Sequence, residues 1–342
     1  MAPDIFLHAY LPFPKSLPQF QRLFPDDAAC ATYLERIRWE HGFVCPLCGN
    51  AGEPFRFVAR PGVLRCRKCR RDTALTADTV MERTRTPLST WFWAAYLVAS
   101  QTAGMSACEF QRQLGLKRYE TAFQILHKLR AGMVRPDADK IGKSGSKDHV
   151  EVDETWIGGA TKGEGAGVHH QTLVIAAIEV RQREPKEGST AKTRRGGRYA
   201  GRLRLQVVEN RTAKTLCGFV EGAVQPGSMV VTDGWRAYNG LSDLYEHLAA
   251  AEGGEAEVAE EYLPIVHLVF SNLKGWLRGC HHGVSPQHLQ AYLNEFTFRF
   301  NRRFYPFNAF RSLLGIGGES ESPTYRELYS GEWEHPTASG HG

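Results

Sequence analysis

Four of the eight cysteines fall in two pairs, Cys45-Pro-Leu-Cys48 and Cys66-Arg-Lys-Cys69, with seventeen residues between them. That spacing is the pattern of a two-knuckle zinc ribbon. Four thiolates close a tetrahedral site and leave no open position, so the zinc expected on Cys45, Cys48, Cys66 and Cys69 is structural rather than catalytic. Metal binding would supply the folding free energy that a block this poor in apolar residues lacks. Cys30, Cys108, Cys217 and Cys280 stand singly, which does not suit a disulfide framework.

Two carboxylates form the second chemical feature. Asp153 interrupts the apolar run Val150 to Ile157, at a position that alternation turns to the same side as Glu151, and Asp233 ends the apolar run that starts at Met229. Carboxylates in such places are costly unless paired or metal-bound. Either alone also reads as an ordinary turn residue. If their strands are neighbours, they can share two divalent ions about 4 Å apart, the arrangement that drives in-line phosphoryl displacement by a water or a 3′-hydroxyl.

The elements that must position these groups follow from pattern and punctuation. Residues 1–40 read as an N-terminal helical segment, 41–75 as the ribbon, 87–135 as a helical region and 136–147 as a Gly- and Ser-rich linker. His149 to Ile157, Thr172 to Val180 and Arg202 to Val208 read as an antiparallel meander, followed by a helix at Thr212 to Ala223 and a strand at Ser228 to Thr232. Pro264 to Arg278 and Pro286 to Arg303 read as helices opened by proline. Three strands, a helix, a strand and then helices is the order of a ribonuclease H-like α/β domain, in which the first and fourth strands are neighbours. The fold class expected is therefore α/β, with an N-terminal zinc ribbon and a helix-turn-helix-like region ahead of a ribonuclease H-like catalytic domain at 148–315 and a tail at 316–342.

Basic residues mark surfaces for nucleic acid. Arg56, Arg60, Arg65, Arg67, Lys68, Arg70 and Arg71 crowd the second knuckle with no acid among them, a density suited to phosphate contact. Ser106 and Glu109 have the spacing of a capping box for a helix that turns at Gly115, and a second helix from Tyr119 to Met133 carries Lys117 and Arg118 at its start and Lys128 and Arg130 along it. Between Arg181 and Arg204 lie nine basic residues, Arg194 and Arg195 among them, against Glu184 and Glu187, as a hairpin extension able to follow a DNA backbone. Phe296, Phe298, Phe300, Phe304 and Tyr305 alternate with Arg299, Arg302 and Arg303, where packing against the sheet accounts for most of the rings. The pairs His169-His170 and His281-His282 read as surface or loop residues rather than ligands.

The ribbon with Arg71 to Val80 behind it, VEVDETWIGG at 150–159, VVTDGWRAY at 230–238 and LKGWLRGCHHGVSPQHLQAYLNEFTFRFNRR at 273–303 closely resemble the IS fifteen-ninety-five, or ISXO2-like, group of insertion-sequence transposases, over about residues 25–315. The resemblance implies a DDE-type enzyme that binds element ends, cleaves DNA at 3′ ends and joins them to a target. It implies Asp153 and Asp233 as the first and second catalytic aspartates. The family's third residue, commonly Glu or Asn, stands seven positions before a lysine; counting back from Lys274 gives His267 here. Glu260, Glu261 and Asn272 are the alternatives for that role. Imidazole is a softer ligand than carboxylate, so Mg²⁺ or Mn²⁺ is expected at Asp153, Asp233 and His267, with Mn²⁺ favoured.

Composition is consistent with this and names no partner by itself. Lys+Arg of 42 against Asp+Glu of 37 gives a net charge of +5, and 23% charged residues exclude a disordered or highly charged chain. The apolar stretch Trp91 to Ala99 is far short of the ~20 residues that span a bilayer, and the start MAPDIFLHAY has no basic-then-apolar leader pattern, so a soluble cytoplasmic protein is expected, with DNA ends and target DNA as partners and no membrane. Pairing of two ends calls for at least a dimer. The competing expectations are a catalytically inactive DNA-binding descendant of a transposase and a metal-dependent nuclease that cuts without joining.

Overall fold

The computed structural model describes residues 11–101, 104–134, 139–158, 171–183, 197–250, 262–304, 309–310, 312–314, 324–330, 332–334 and 337. Arg194, Arg195, Glu260, Glu261, His169, His170 and Tyr305 lie outside them. The chain forms two compact units. The first joins residues 1–134 to 302–335, and the second is built on Arg135–Asn301.

In the first unit, α1 (Leu17–Leu23) and α2 (Asp27–Arg38) start at Ser16 and Asp26, whose side chains accept from Gln19 N and Ala29 N. The ribbon is a small antiparallel sheet of β1 (Phe55–Phe57), β2 (Arg60–Arg65) and β3 (Asp72–Ala74), in the order β1-β2-β3. Arg38 ties α2 to its far end through the carbonyls of Ala74 and Leu75, at 3.1 and 2.8 Å. Helix α3 (Leu88–Ser100) is apolar on nearly all sides and buries Trp91, Phe92, Ala94, Ala95 and Val98. Phe310 closes the same aromatic core against Phe20, Phe24, Tyr33 and Phe92. This packing places Phe310 in the core of the first unit.

Helices α4 (Ala107–Gln113) and α5 (Tyr119–Ala131) form a helical pair turned at Gly115, which has a φ of +60°. Ser106 caps α4 by accepting from Glu109 N at 3.2 Å, but the Glu109 carboxylate reaches Arg112 and Gln113, so the reciprocal half of the expected capping box gives way to pairing along the helix. Lys128 and Arg130 are buried. Lys128 donates to the Glu82 carbonyl at 3.2 Å, which removes it from any DNA-facing surface of this helix.

The second unit carries a five-stranded mixed sheet: β4 (His149–Ile157), β5 (Thr172–Gln182), β6 (Arg198–Val208), β7 (Met229–Thr232) and β8 (Glu246–Ala249), in the order β6-β5-β4-β7-β8. The first three strands pair antiparallel, whereas β7 runs parallel to β4 and β8 parallel to β7. Helices α7 (Pro264–His281) and α8 (Pro286–Asn301) share one core with one face, built from Val174, Ala176, Ile178, Leu203 and Leu205 against Val266, Val269, Phe270, Leu273 and Leu293. Helix α6 (Ala213–Ala223) and a 3-10 segment at Arg236–Asp243 share a second core with the opposite face, where Val150, Val152, Ile175 and Ala177 meet Leu216, Phe219, Val220 and Tyr238. The stretch expected as a linker is anchored here, since Ile141 is buried and bridges Val224. Between α7 and α8, His282 takes a left-handed conformation, while His281 packs edge-on against Trp276 and Tyr292. Among the described residues, no helix is long and apolar enough to cross a membrane.

Candidate active site and metal centres

Each knuckle of the ribbon is a tight turn closed by its own backbone. Gly49 N donates to Cys45 O at 2.9 Å and Arg70 N to Cys66 O at 3.0 Å, while Cys45 N and Cys66 N reach Asn50 O and Arg71 O, both at 3.0 Å. The fifth residue of each turn is left-handed: Gly49 at φ +65° and Arg70 at φ +60°. The turns bring Cys45 Sγ to 3.6 Å from Cys69 Sγ and Cys48 Sγ to 3.7 Å from Cys66 Sγ. A tetrahedral ion with Zn–S bonds of about 2.3 Å places its sulfurs about 3.8 Å apart, so the cluster has the size of a zinc site. Backbone N–H groups of Cys69 and Lys68 directed at Cys66 bring its thiol down, while at Cys69 the Arg71 N–H is outweighed by burial and the neighbouring sulfurs, which push that thiol up, so the two sulfurs titrate as a pair.

Around the second knuckle the basic residues divide into two sets. Arg65 Nε donates to Asp72 at 2.6 Å, and Arg56 pairs with Glu35 and Glu53. These acids lie outside the basic run, where the local sequence reading did not weigh them. Arg67, Lys68, Arg70 and Arg71 are exposed, as are Lys117 and Arg118 at the start of α5.

In the second unit, the parallel register of β4 with β7 pairs His149 with Met229 and Glu151 with Val231. Continued by two residues, that offset sets Asp153 beside Asp233. Oxygens of Asp153, Glu154 and Asp233 lie within 4.8 Å of one another. Helix α7 lies over the face that carries Glu151, Asp153 and Thr155, and meets each in turn. Fully buried Glu151 accepts from Ile265 N at 2.9 Å and Val266 N at 2.7 Å, supplying the helix start with an anion where its dipole favours one. His267 Nε2 is 3.2 Å from Asp153 Oδ2, and Lys274 Nζ donates to Thr155 Oγ1 at 2.7 Å. His267 and Asp153 are thus within direct hydrogen-bonding distance, while the group of ligand atoms gathered within 4.8 Å is Asp153, Glu154 and Asp233, without His267. Asn272, an alternative third ligand from sequence, is an exposed residue of α7.

Glu154 was not singled out in the sequence. It points to the other face of the sheet, where Tyr238 Oη donates to its Oε2 at 2.5 Å and Arg211 Nε to its Oε1 at 2.6 Å. Its side chain is 2% exposed. Burial pushes the Glu154 carboxyl up and Asp153 adds to the rise, against the downward pull of Tyr238 and Arg211. Burial and the neighbouring Glu154 together push the Tyr238 phenol far up, so it stays a donor. Both Glu154 oxygens therefore accept hydrogen bonds while the carboxylate stands beside Asp153 and Asp233. Its partners lie 57 and 84 residues away, a signal that no local pattern carries.

Residues 145–301 match the family model of the ISXO2-like transposase domain, and residues 25–72 match that of the transposase zinc-ribbon domain. The chain belongs to the ISXO2-like transposases. Neither a curated protein nor a solved structure matches it. In this ISXO2-like transposase, the ribbon match ends at the second knuckle, and the domain match spans β4 to the end of α8. The Cys45–Cys69 cluster thus lies within a domain type named for its zinc. The grouping of Asp153, Glu154 and Asp233 lies within the transposase domain and is an acidic site able to hold a divalent cation.

Proposed function

We propose that this transposase binds the ends of its insertion sequence and catalyses divalent-metal-dependent DNA cleavage and strand transfer on a ribonuclease H-like domain. The observation that carries the reading is the placement of Asp153 and Asp233 on adjacent parallel strands, with His267 reaching Asp153 from the helix that covers them. The strand order, three antiparallel strands with the fourth joined in parallel to the first, supports the ribonuclease H-like assignment.

In this reading Asp153, Asp233 and His267 are the ligands of Mg²⁺ or Mn²⁺. A divalent cation held by these residues would supply activation of a water or 3′-hydroxyl and charge to balance the leaving oxygen of the displaced phosphodiester. Lys274, two helical turns beyond His267, offers its ammonium to a phosphate oxygen when it leaves Thr155. Glu151 fixes the start of α7 and so sets where His267 and Lys274 stand. Arg67, Lys68, Arg70 and Arg71 on the ribbon and Lys117 and Arg118 on the helical pair contact the DNA backbone, with Arg194 and Arg195 of the β5–β6 connection as further contacts. Joining both ends of an element calls for at least two copies of the chain.

The test is a strand-transfer assay with paired oligonucleotide ends and a plasmid target in Mn²⁺. Joined product supports the reading, cleavage without joining indicates a nuclease, and binding alone indicates an inactive descendant. Asp233→Asn retains size and removes charge, so activity is expected to fall by orders of magnitude while affinity for the ends, measured by mobility shift, changes little. Joining at near the wild-type rate would remove Asp233 from the site.

A further inference from the structure

The second aspartate is followed by a residue that the chemistry above leaves unused. Gly234 turns the chain with a φ of +79°, and Trp235 N donates to Asp233 Oδ1 at 3.0 Å, so the indole is fixed two residues from a catalytic carboxylate. Large aromatic rings are usually well buried, yet Trp235 is 45% exposed. It is also held in place. Its Nε1 donates to the Arg211 carbonyl at 3.5 Å, and the Arg211 guanidinium lies 4.7 Å from the ring centroid while also binding Glu154. Trp156, three residues beyond Asp153 on the same strand face as Glu154, is a second exposed indole at 44%.

A rigid, half-exposed indole braced by a guanidinium is a stacking platform. Nucleobases stack on such rings with little regard to sequence, and enzymes that must reach into a duplex take a base out of its stack. An in-line attack at a phosphodiester within duplex DNA requires that the backbone be drawn toward the carboxylates, which displaces the neighbouring base. We propose that Trp235 is the shelf on which the nucleobase next to the scissile phosphate stacks once it leaves the duplex. This rests on the strand-transfer reading and adds to it the state of the DNA that the site accepts: locally unpaired at the cut.

The experiment uses full-length protein, Mn²⁺ and a duplex copied from the element end, fully paired or mismatched at the nucleotide beside the cut, with 2-aminopurine at that nucleotide for the binding measurement. On the paired duplex, Trp235→Ala is expected to lower the cleavage rate on the order of 10- to 100-fold, the value of one base–aromatic stack, while Trp235→Phe retains most of the rate. The mismatched duplex, which no longer resists unpairing, should return most of the lost rate to the Ala variant, and that recovery also shows the variant is folded. The 2-aminopurine emission should change on binding wild type and far less on binding Trp235→Ala. Wild-type rates in the Ala variant, equal losses in Ala and Phe, or no gain from the mismatch would each overturn the shelf while leaving strand transfer standing. A wild-type protein that cuts neither duplex would overturn the strand-transfer reading and the shelf with it.

Discussion

Glu151 is the sharpest point at which to test how helix α7 is held. Its carboxylate is fully buried and accepts two backbone N–H groups at the start of α7. Hydrogen bonds to a charged group contribute about 1.5–3 kcal/mol each, and a favourable, partly buried position at a helix end up to about 2 kcal/mol, offset by the desolvation of the carboxylate. Glu151→Ala leaves two N–H groups buried without an acceptor and is expected to cost about 3–5 kcal/mol, a large share of the 5–15 kcal/mol typical of a domain. Glu151→Gln retains the shape and one acceptor, so a loss of about 1–2 kcal/mol is expected with the unit still folded. Urea unfolding followed by tryptophan fluorescence measures both variants. In the Gln variant, loosening of the first turn moves His267, so Mn²⁺ affinity by calorimetry should weaken although no ligand has changed. An unfolding midpoint and Mn²⁺ affinity both equal to wild type would refute the claim that Glu151 positions this helix.

Three further outcomes are expected. Cys66→Ser should release zinc and unfold the ribbon while the second unit keeps its hydrogen-exchange protection, since the ribbon folds on its own metal; a fully folded wild-type protein free of zinc would contradict this. His267→Ala should abolish Mg²⁺-dependent cleavage and His267→Glu should keep or raise it, because a carboxylate is the harder ligand; full activity in the Ala variant removes His267 from the site. Glu179 is buried, but the Arg202 guanidinium and the N–H groups of Arg202 and Gly142 outweigh the cost of burial and hold its carboxyl down at about 2, against an ordinary 4.5. A depressed carboxyl stabilises above its unfolded value and loses that contribution as pH falls toward the folded one, so about 3 kcal/mol should fade between about pH 5 and pH 2. The urea midpoint of Glu179→Gln should be lower at pH 7 and flatter over that range, and parallel pH profiles would count against the assignment.

Sequence reading reached the features whose signals are local. Cys-x-x-Cys spacing is a statement about one turn, and Asp153 stood out because a strand that buries Val150 and Val152 has no reason of its own to carry a carboxylate. Ser106, Pro264 and Gly115 mark element ends by backbone chemistry that needs no partner. Features set by distant packing were hidden. Strand β8 is a short edge of mixed character, Glu-His-Leu-Ala, whose pairing with β7 makes it a strand. Lys128 and Arg130 look like surface charge on one helix and become buried only because other parts of the unit cover them. Phe310 follows α8 in the chain yet packs with Phe20 and Phe92 of the first unit, a choice made by aromatic surface rather than by order along the chain. Glu154 belongs to this class, since alternation gives its face but not the identity of Tyr238 and Arg211 opposite it.

Gly49 and Arg70 occupy the same left-handed place in two turns of the same design. A side chain there costs about 1–2 kcal/mol that glycine does not, which the zinc site can offset out of the free energy of holding the turn closed. Glycine and arginine codons are related by a single base, so a knuckle of the Gly49 kind can acquire an arginine in one mutational step without a change of loop length. Two equivalent turns thus leave room to differ: one plain and free of strain, the other carrying an exposed cation at a turn that bound metal would hold closed.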